Sequence, residues 1–209
     1  MYPLFHGATV IPVLSIEREC DAVPLARALY EGGLSVIEVT FRTASAIAAI
    51  AAIASELPRV TVGAGTLLRA TDVAAAVRAG ARFLVSPGTT PELAGAALAT
   101  ELPYLPGVAT PSEIMAARAL GICVMKLFPA EAMGGIALLR ALAPVFPGIA
   151  FCPTGGIDER TAEHYLALPN VPIVGGSWMA PRDAIAAGDW SRIRRFAERA
   201  AAIGRVEAA

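Results

Sequence analysis

The chain has 209 residues, 56% of them hydrophobic and only 17% charged. That length suits one well-cored domain and is short for two, so residues 1–209 are expected to form a single domain; the low charge excludes a disordered protein. Seventeen basic and eighteen acidic residues nearly cancel, and no basic stripe stands out to follow a nucleic-acid backbone.

Membrane insertion is also disfavoured. The charge-free stretches Ala141–Ile157 and Tyr165–Pro181 are broken repeatedly by Pro and Gly, whereas a spanning helix needs about 20 continuous apolar residues. Met1 to His6 carry neither a basic region nor a signal-peptide core. Cys20, Cys123 and Cys152 are odd in number and far apart, which fits a reduced, cytoplasmic protein.

Along the chain, short β-branched runs end in polar, Gly or Pro clusters, and Ala-rich helical segments follow most of them. The runs end near Ser15, Thr40, Thr66, Pro87, Gly107, Phe128, Thr154 and Gly176, spaced 20 to 26 residues apart. Gly33, Gly80 and Gly121 read as helix ends, each shortly before a strand. After Thr43, a candidate N-cap, Ile47, Ile50, Ala51 and Ala54 form one apolar helical face. Thr71-Asp72, Thr90-Pro91-Glu92, Thr110-Pro111-Ser112-Glu113 and Asp158-Glu159 read as further helix starts.

Strands alternating with helices imply parallel pairing through right-handed crossovers. Eight such units close most economically into a compact (β/α)8 barrel. A doubly wound open sheet is the alternative. Gly63-Ala64-Gly65-Thr66-Leu67-Leu68 lacks the third glycine of a dinucleotide fingerprint, so a nucleotide-binding switch point is not indicated.

In a barrel, chemistry sits at the C-terminal strand ends, and a period of two decides which side chains face inward. In the second strand Ile37, Val39 and Phe41 then face the helices, leaving Glu38, Thr40 and Arg42 inside. In the sixth, Met125 and Leu127 point outward, and Val124, Lys126 and Phe128 inward. The seventh turns Ala150, Cys152 and Thr154 inside.

Lys126 is the leading catalytic candidate. Sixteen of the seventeen basic residues are Arg, and this is the one Lys. An amine can lose its proton and attack a carbonyl, which a guanidinium cannot. Glu38 beside it suits general acid–base work on an imine. The competing reading is a structural ion pair between the two. Arg42 offers a planar fork for a carboxylate; alternatively it is a solvated loop residue. Gly155-Gly156 and Gly175-Gly176-Ser177 end neighbouring strands where barrels frequently bind phosphate, though Gly-Gly also serves simple turns. No metal site is expected: the two histidines, His6 and His164, are far apart and lack partners at ligand spacing.

Taken in order, Ile37-Glu38-Val39-Thr40-Phe41-Arg42-Thr43, Val62-Gly63-Ala64-Gly65-Thr66, Ser86-Pro87-Gly88, Lys126-Leu127-Phe128-Pro129-Ala130-Glu131, Phe151-Cys152-Pro153-Thr154-Gly155-Gly156-Ile157 and Gly175-Gly176-Ser177-Trp178 resemble the 2-dehydro-3-deoxy-6-phosphogluconate (KDPG) aldolases. These are class I aldolases on a (β/α)8 barrel, many of which also cleave 4-hydroxy-2-oxoglutarate. The resemblance implies a Schiff base on Lys126, with no other cofactor, and proton transfer by Glu38. It places Arg42 and Thr66 on the pyruvate carboxylate, Pro87 and Phe128 along the pocket, and Thr154 on the substrate beyond the ketone. Gly155, Gly156, Gly176 and Ser177 would receive the phosphate. It further implies a homotrimer, a phosphorylated 2-keto-3-deoxy sugar acid and pyruvate as ligands, and a place in Entner–Doudoroff carbohydrate metabolism.

The segment before strand one is shorter than the family's usual N-terminal helix, which implies a less covered lower opening. Met133 stands where relatives often carry a polar residue. Competing readings are a galactonate-specific aldolase, a non-catalytic phosphosugar-binding barrel and a sugar-phosphate isomerase.

Overall fold

A computed structural model describes Phe5 and residues 7–204. The N-terminal residues read above, His6 among them, otherwise lie outside the described residues.

The chain begins β1 (Val10–Leu14), α1 (Ala22–Glu31), β2 (Val36–Thr40), α2 (Ala46–Glu56), β3 (Thr61–Gly65), α3 (Ala70–Arg78), β4 (Leu84–Val85) and α4 (Pro91–Leu98). It continues with β5 (Tyr104–Leu105), β6 (Gly107–Val108), α5 (Pro111–Ala119), β7 (Val124–Leu127), α6 (Gly135–Leu142), β8 (Ala150–Pro153), α7 (Glu159–Leu166) and β9 (Val174–Gly176). Two helices close it, α8 (Arg182–Ala187) and α9 (Trp190–Ala202).

All strand pairs are parallel. One sheet runs β5-β4-β3-β2-β1-β9 and the other β6-β7-β8. The fifth run of the sequence is thus split in two at Pro106, which has no N–H to give to a ladder. Its carbonyl still accepts from Lys126 N at 2.9 Å. At the opposite edges a bridge pairs Thr154 with Gly175. The last helix, α9, packs on α1, where a Cβ on Gly32 would lie 2.4 Å from that of Ala197.

Apolar side chains sort into two layers. Ile37, Val39, Val62, Met125 and Leu127 join the cluster between strands and helices, while Ile11, Val36, Phe83, Val85, Leu105, Cys152 and Ile173 form a second cluster on the inner side. The period-two alternation of a pleated strand produces this division. Phe5 belongs to the inner cluster and stands edge-on to Phe83, with ring centroids 5.2 Å apart.

Most helix starts follow their sequence signals. Thr90 accepts from Leu93 N at 3.2 Å, with Pro91 in the first turn. Thr110 and Glu113 form a reciprocal capping box, and Asp158 accepts from Thr161 N at 2.7 Å. Hydrogen bonds from backbone N–H groups, of Ala109 and Thr161 respectively, are the leading cause of the lowered pKa of both carboxyls. Gly33, Gly80 and Gly121 all hold positive φ at helix ends, as their placement suggests.

Two expectations need correction. Thr43 does not cap α2: its hydroxyl donates to Ile16 O at 2.6 Å, and Ser45 donates to the same oxygen, so both tie α2's approach to the first loop. Nor is the α2 face the expected one. Ile50 is buried, but Ile47 is 47% exposed and Ala51 is exposed; Ala46, Ala49 and Ile53 are buried instead. In Ala46-Ile47-Ala48-Ala49-Ile50-Ala51-Ala52-Ile53, apolar residues run round the whole helix. Packing on the sheet, not composition, selects the side.

Candidate active site

Glu38 is the middle residue of β2 and faces inward because its neighbours Ile37 and Val39 face the helices. Lys126 does the same between Met125 and Leu127 in β7. The two meet: Lys126 Nζ donates to Glu38 Oε1 at 3.2 Å, with the residues 3% and 4% exposed. Gly65 makes room for the carboxylate, since a Cβ there would sit 2.0 Å from Glu38 Oε1. The ammonium also lies 5.3 Å from the Phe128 ring centroid, a cation–π contact. Beside Lys126 in register is Cys152, whose thiol is pushed up to about 12, chiefly by burial. It stays protonated at neutral pH.

Beyond Phe128 lies a cavity of about 270 Å³ that neither Lys126 nor Glu38 lines. Arg42, Phe128, Thr154, Gly155, Gly156, Gly176 and Ser177 all line it, which brings together seven of the nine residues expected to bind substrate. Phe128 belongs to both places, touching the ammonium and forming the wall. Gly155 and Gly156 have φ of 101° and 83°, a conformation glycine adopts without strain. Ala130 N and Glu131 N donate to the carbonyls of Thr154 and Gly155 at 2.9 and 3.1 Å, fixing the loop from one side.

Thr66 and Pro87 are not among the residues lining the cavity. Thr66 is half-buried just past β3 with φ of 59°, a costly conformation for a β-branched residue. Pro87 is half-buried, with its backbone packed against Gly107. Thr40, expected inside, is fully buried and spent structurally. Its hydroxyl donates to Leu14 O at 2.8 Å and can only accept from Ser15 Oγ at 3.0 Å.

Several residues escaped the sequence reading. Ser15 lines the cavity and marks a strand end, the same kind of position that singled out Thr154 and Gly176. Arg182 also lines it, with no periodicity or motif to announce it. Glu131 packs over Gly156, and its carboxylate accepts a hydrogen bond from the buried Tyr165 hydroxyl. Met133 is exposed in the same short turn. Among the described residues no cluster of His, Cys, Asp and Glu could hold a metal ion, and no helix is long and apolar enough to cross a membrane.

A buried amine paired with a carboxylate inside a parallel α/β fold is the arrangement a Schiff-base aldolase uses. The sequence model of a family described as KDPG and KHG aldolase matches residues 4–196, and the chain belongs to that family. A 2-dehydro-3-deoxy-phosphogluconate aldolase of Pseudomonas aeruginosa is 48% identical over 197 residues, 94% of this chain and 90% of the relative. A KDPG aldolase of Legionella pneumophila, solved with pyruvate captured at low pH as a covalent carbinolamine intermediate, superposes with a TM-score of 0.91. It is 46% identical, covering 93% of this chain and 95% of its own. The aldolase of Zymomonas mobilis ZM4, solved with 3-phosphoglycerate, gives the same TM-score at 44% identity, covering 99% and 97%.

Proposed function

We propose that this chain cleaves 2-dehydro-3-deoxy-6-phosphogluconate to pyruvate and glyceraldehyde 3-phosphate, and 4-hydroxy-2-oxoglutarate to pyruvate and glyoxylate as a second reaction. The observation that carries the reading is the buried Lys126–Glu38 contact at 3.2 Å beside a cavity whose lining holds arginines and no carboxylate. On this reading the eight strand units close into one (β/α)8 barrel forming a single domain. The protein acts in the cytoplasm as a homotrimer, with no cofactor beyond the Schiff base.

The geometry suits the chemistry. A protonated amine has no lone pair, and Glu38 Oε1 lies where it can take that proton. The freed amine adds to the C2 ketone, and loss of water from the carbinolamine leaves an iminium. Removal of the C4 hydroxyl proton then lets the C3–C4 bond break. Its electron pair passes to C3 as an enamine, and C4 departs as the aldehyde. Protonation at C3 and addition of water to the iminium release pyruvate and restore the amine. Glu38, acting directly or through a water, is the acid and base of these steps. Arg42 pairs with the substrate carboxylate, Thr66, Pro87, Phe128 and Thr154 position the carbon chain, and Gly155, Gly156, Gly176 and Ser177 take the phosphate.

Borohydride with pyruvate tests this cleanly, because the chain has one lysine. The expected result is a mass increase on the peptide containing Lys126 alone, with pyruvate released from the gluconate substrate. A binding module would form no adduct, an isomerase would release no pyruvate, and a galactonate-specific enzyme would prefer the other epimer.

A further inference from the structure

The cavity lining carries two charged side chains, Arg42 and Arg182, and no Asp or Glu. Neither guanidinium has a hydrogen-bond or ion-pair partner among the described residues. The carboxylate next to Arg182 in sequence, Asp183, is engaged by Arg192 at 2.6 Å. A neighbouring cavity of about 360 Å³ shares Arg182 and contains Asp21, but Asp21 is held by two hydrogen bonds from Arg18, both 2.8 Å. Arg182 thus faces the cavity with its charge unmet: Glu17, the other acid lining the neighbouring cavity, forms no ion pair with it.

The proposed substrate has an anion at each end, a carboxylate by the ketone and a phosphate at the far end. Arg42 follows the strand that bears Glu38, so it belongs with the ketone end. Arg182 follows Ser177 by five residues and shares the cavity wall with Gly156, Gly176 and Ser177. A guanidinium's planar fork matches phosphate oxygens. We infer that Arg182 is a specificity residue, supplying the side-chain cation that favours substrates ending in a phosphate dianion over those ending in a carboxylate or a neutral group. This rests on the phosphate assignment of the glycine-rich end made above, and adds to it a residue outside the motifs that carried that assignment.

Arg182 is exposed, so its contribution is moderate and screened by salt. In Arg182→Ala, KM for the phosphorylated substrate is expected to rise about tenfold at low ionic strength. Turnover at saturation should hold, and cleavage of unphosphorylated 4-hydroxy-2-oxoglutarate should suffer far less. The inhibition constant of inorganic phosphate should weaken by the same factor as KM, and added salt should narrow both gaps. Arg182→Lys should recover part of the loss, because charge remains and the fork does not. A KM and a phosphate inhibition constant equal to the parent's in Arg182→Ala would overturn the inference. Competitive inhibition of the parent by phosphate then separates the two levels. If it persists, Arg182 alone was misassigned; if the parent ignores phosphate, the phosphate end itself is wrong and Arg182 falls with it.

Discussion

Lys126 in β7 and Arg182 at the start of α8 are both cations, and the fold treats them in opposite ways. Lys126 is 3% exposed, met by Glu38 and laid against an aromatic ring. Arg182 is exposed and unpaired beside glycines. The difference follows from what each region must do. An amine that is to form a covalent bond needs a base within reach and little competing water. A group that is to bind an anion needs its charge free until the anion arrives. The interior is consequently built from strand positions that cannot move, and the binding end from loops that offer N–H groups and side chains outward.

Substitutions that exchange the properties of the two regions should do the most damage. Lys126→Arg keeps positive charge against Glu38 but removes the chain's one side-chain amine able to form the imine. Activity should drop by more than about 10⁴-fold, to the uncatalysed background, with borohydride trapping lost and the circular-dichroism spectrum retained. Measurable steady-state turnover in a folded Arg variant would remove Lys126 from the mechanism.

Glu38→Gln tests the partner. The amide cannot take a proton from Lys126, so kcat should fall by about 10²- to 10⁴-fold. The substitution also strands a buried ammonium, which costs several kcal/mol when a buried pair is broken. Melting temperature should fall alongside rate. If the variant melts lower yet turns over normally, the pair is structural and the proton moves by another route.

At the open end, Ser177→Asp places a like charge against the phosphate. Close repulsion in a partly desolvated pocket costs about 2 kcal/mol, or roughly 30-fold in kcat/KM for the phosphorylated substrate. Cleavage of 4-hydroxy-2-oxoglutarate should lose much less, and inorganic phosphate should cease to inhibit. Equal losses on both substrates would assign Ser177 to the catalytic centre instead.

The two regions were also unequally legible in the sequence. The Lys126–Glu38 meeting could be read because both lie on strands, where alternation fixes which side each residue faces. Capping at Thr90, Thr110 and Asp158 could be read because the cap and its partner are three residues apart. What depends on tertiary packing could not. The α2 side was hidden because that helix is apolar all round, and Thr43 was lost as a cap to a carbonyl 27 residues away. Pro106 split a strand whose composition looked continuous. Arg182 lies on a loop-to-helix junction with no period to place it, so only the assembled cavity revealed it.

The smallest expected effect concerns the support of the glycine-rich end. Tyr165 in α7 is buried, and its hydroxyl donates to the exposed Glu131 carboxylate. Burial first, and then the hydrogen bond to Glu131, hold the phenol's pKa above its ordinary value of 10.0. The hydroxyl therefore remains a donor throughout the neutral and mildly alkaline range. Glu131 in turn lies so close over Gly156 that a Cβ there would come within 2.6 Å of its own Cβ, and its N–H holds Gly155 O. Tyr165→Phe keeps the buried ring and deletes only the O–H. Water can replace the lost donor at exposed Glu131, so the cost should be about 1 kcal/mol, seen as a fall of about 2–4 °C in melting temperature. If Tyr165 also positions the phosphate loop through Glu131, KM for the phosphorylated substrate should rise about two- to threefold at unchanged kcat, because part of that 1 kcal/mol is then withdrawn from binding. 4-Hydroxy-2-oxoglutarate, which does not reach that loop, should show no change in KM. A lowered melting temperature with both KM values intact would reduce Tyr165 to a packing role and leave the loop held by its backbone hydrogen bonds alone.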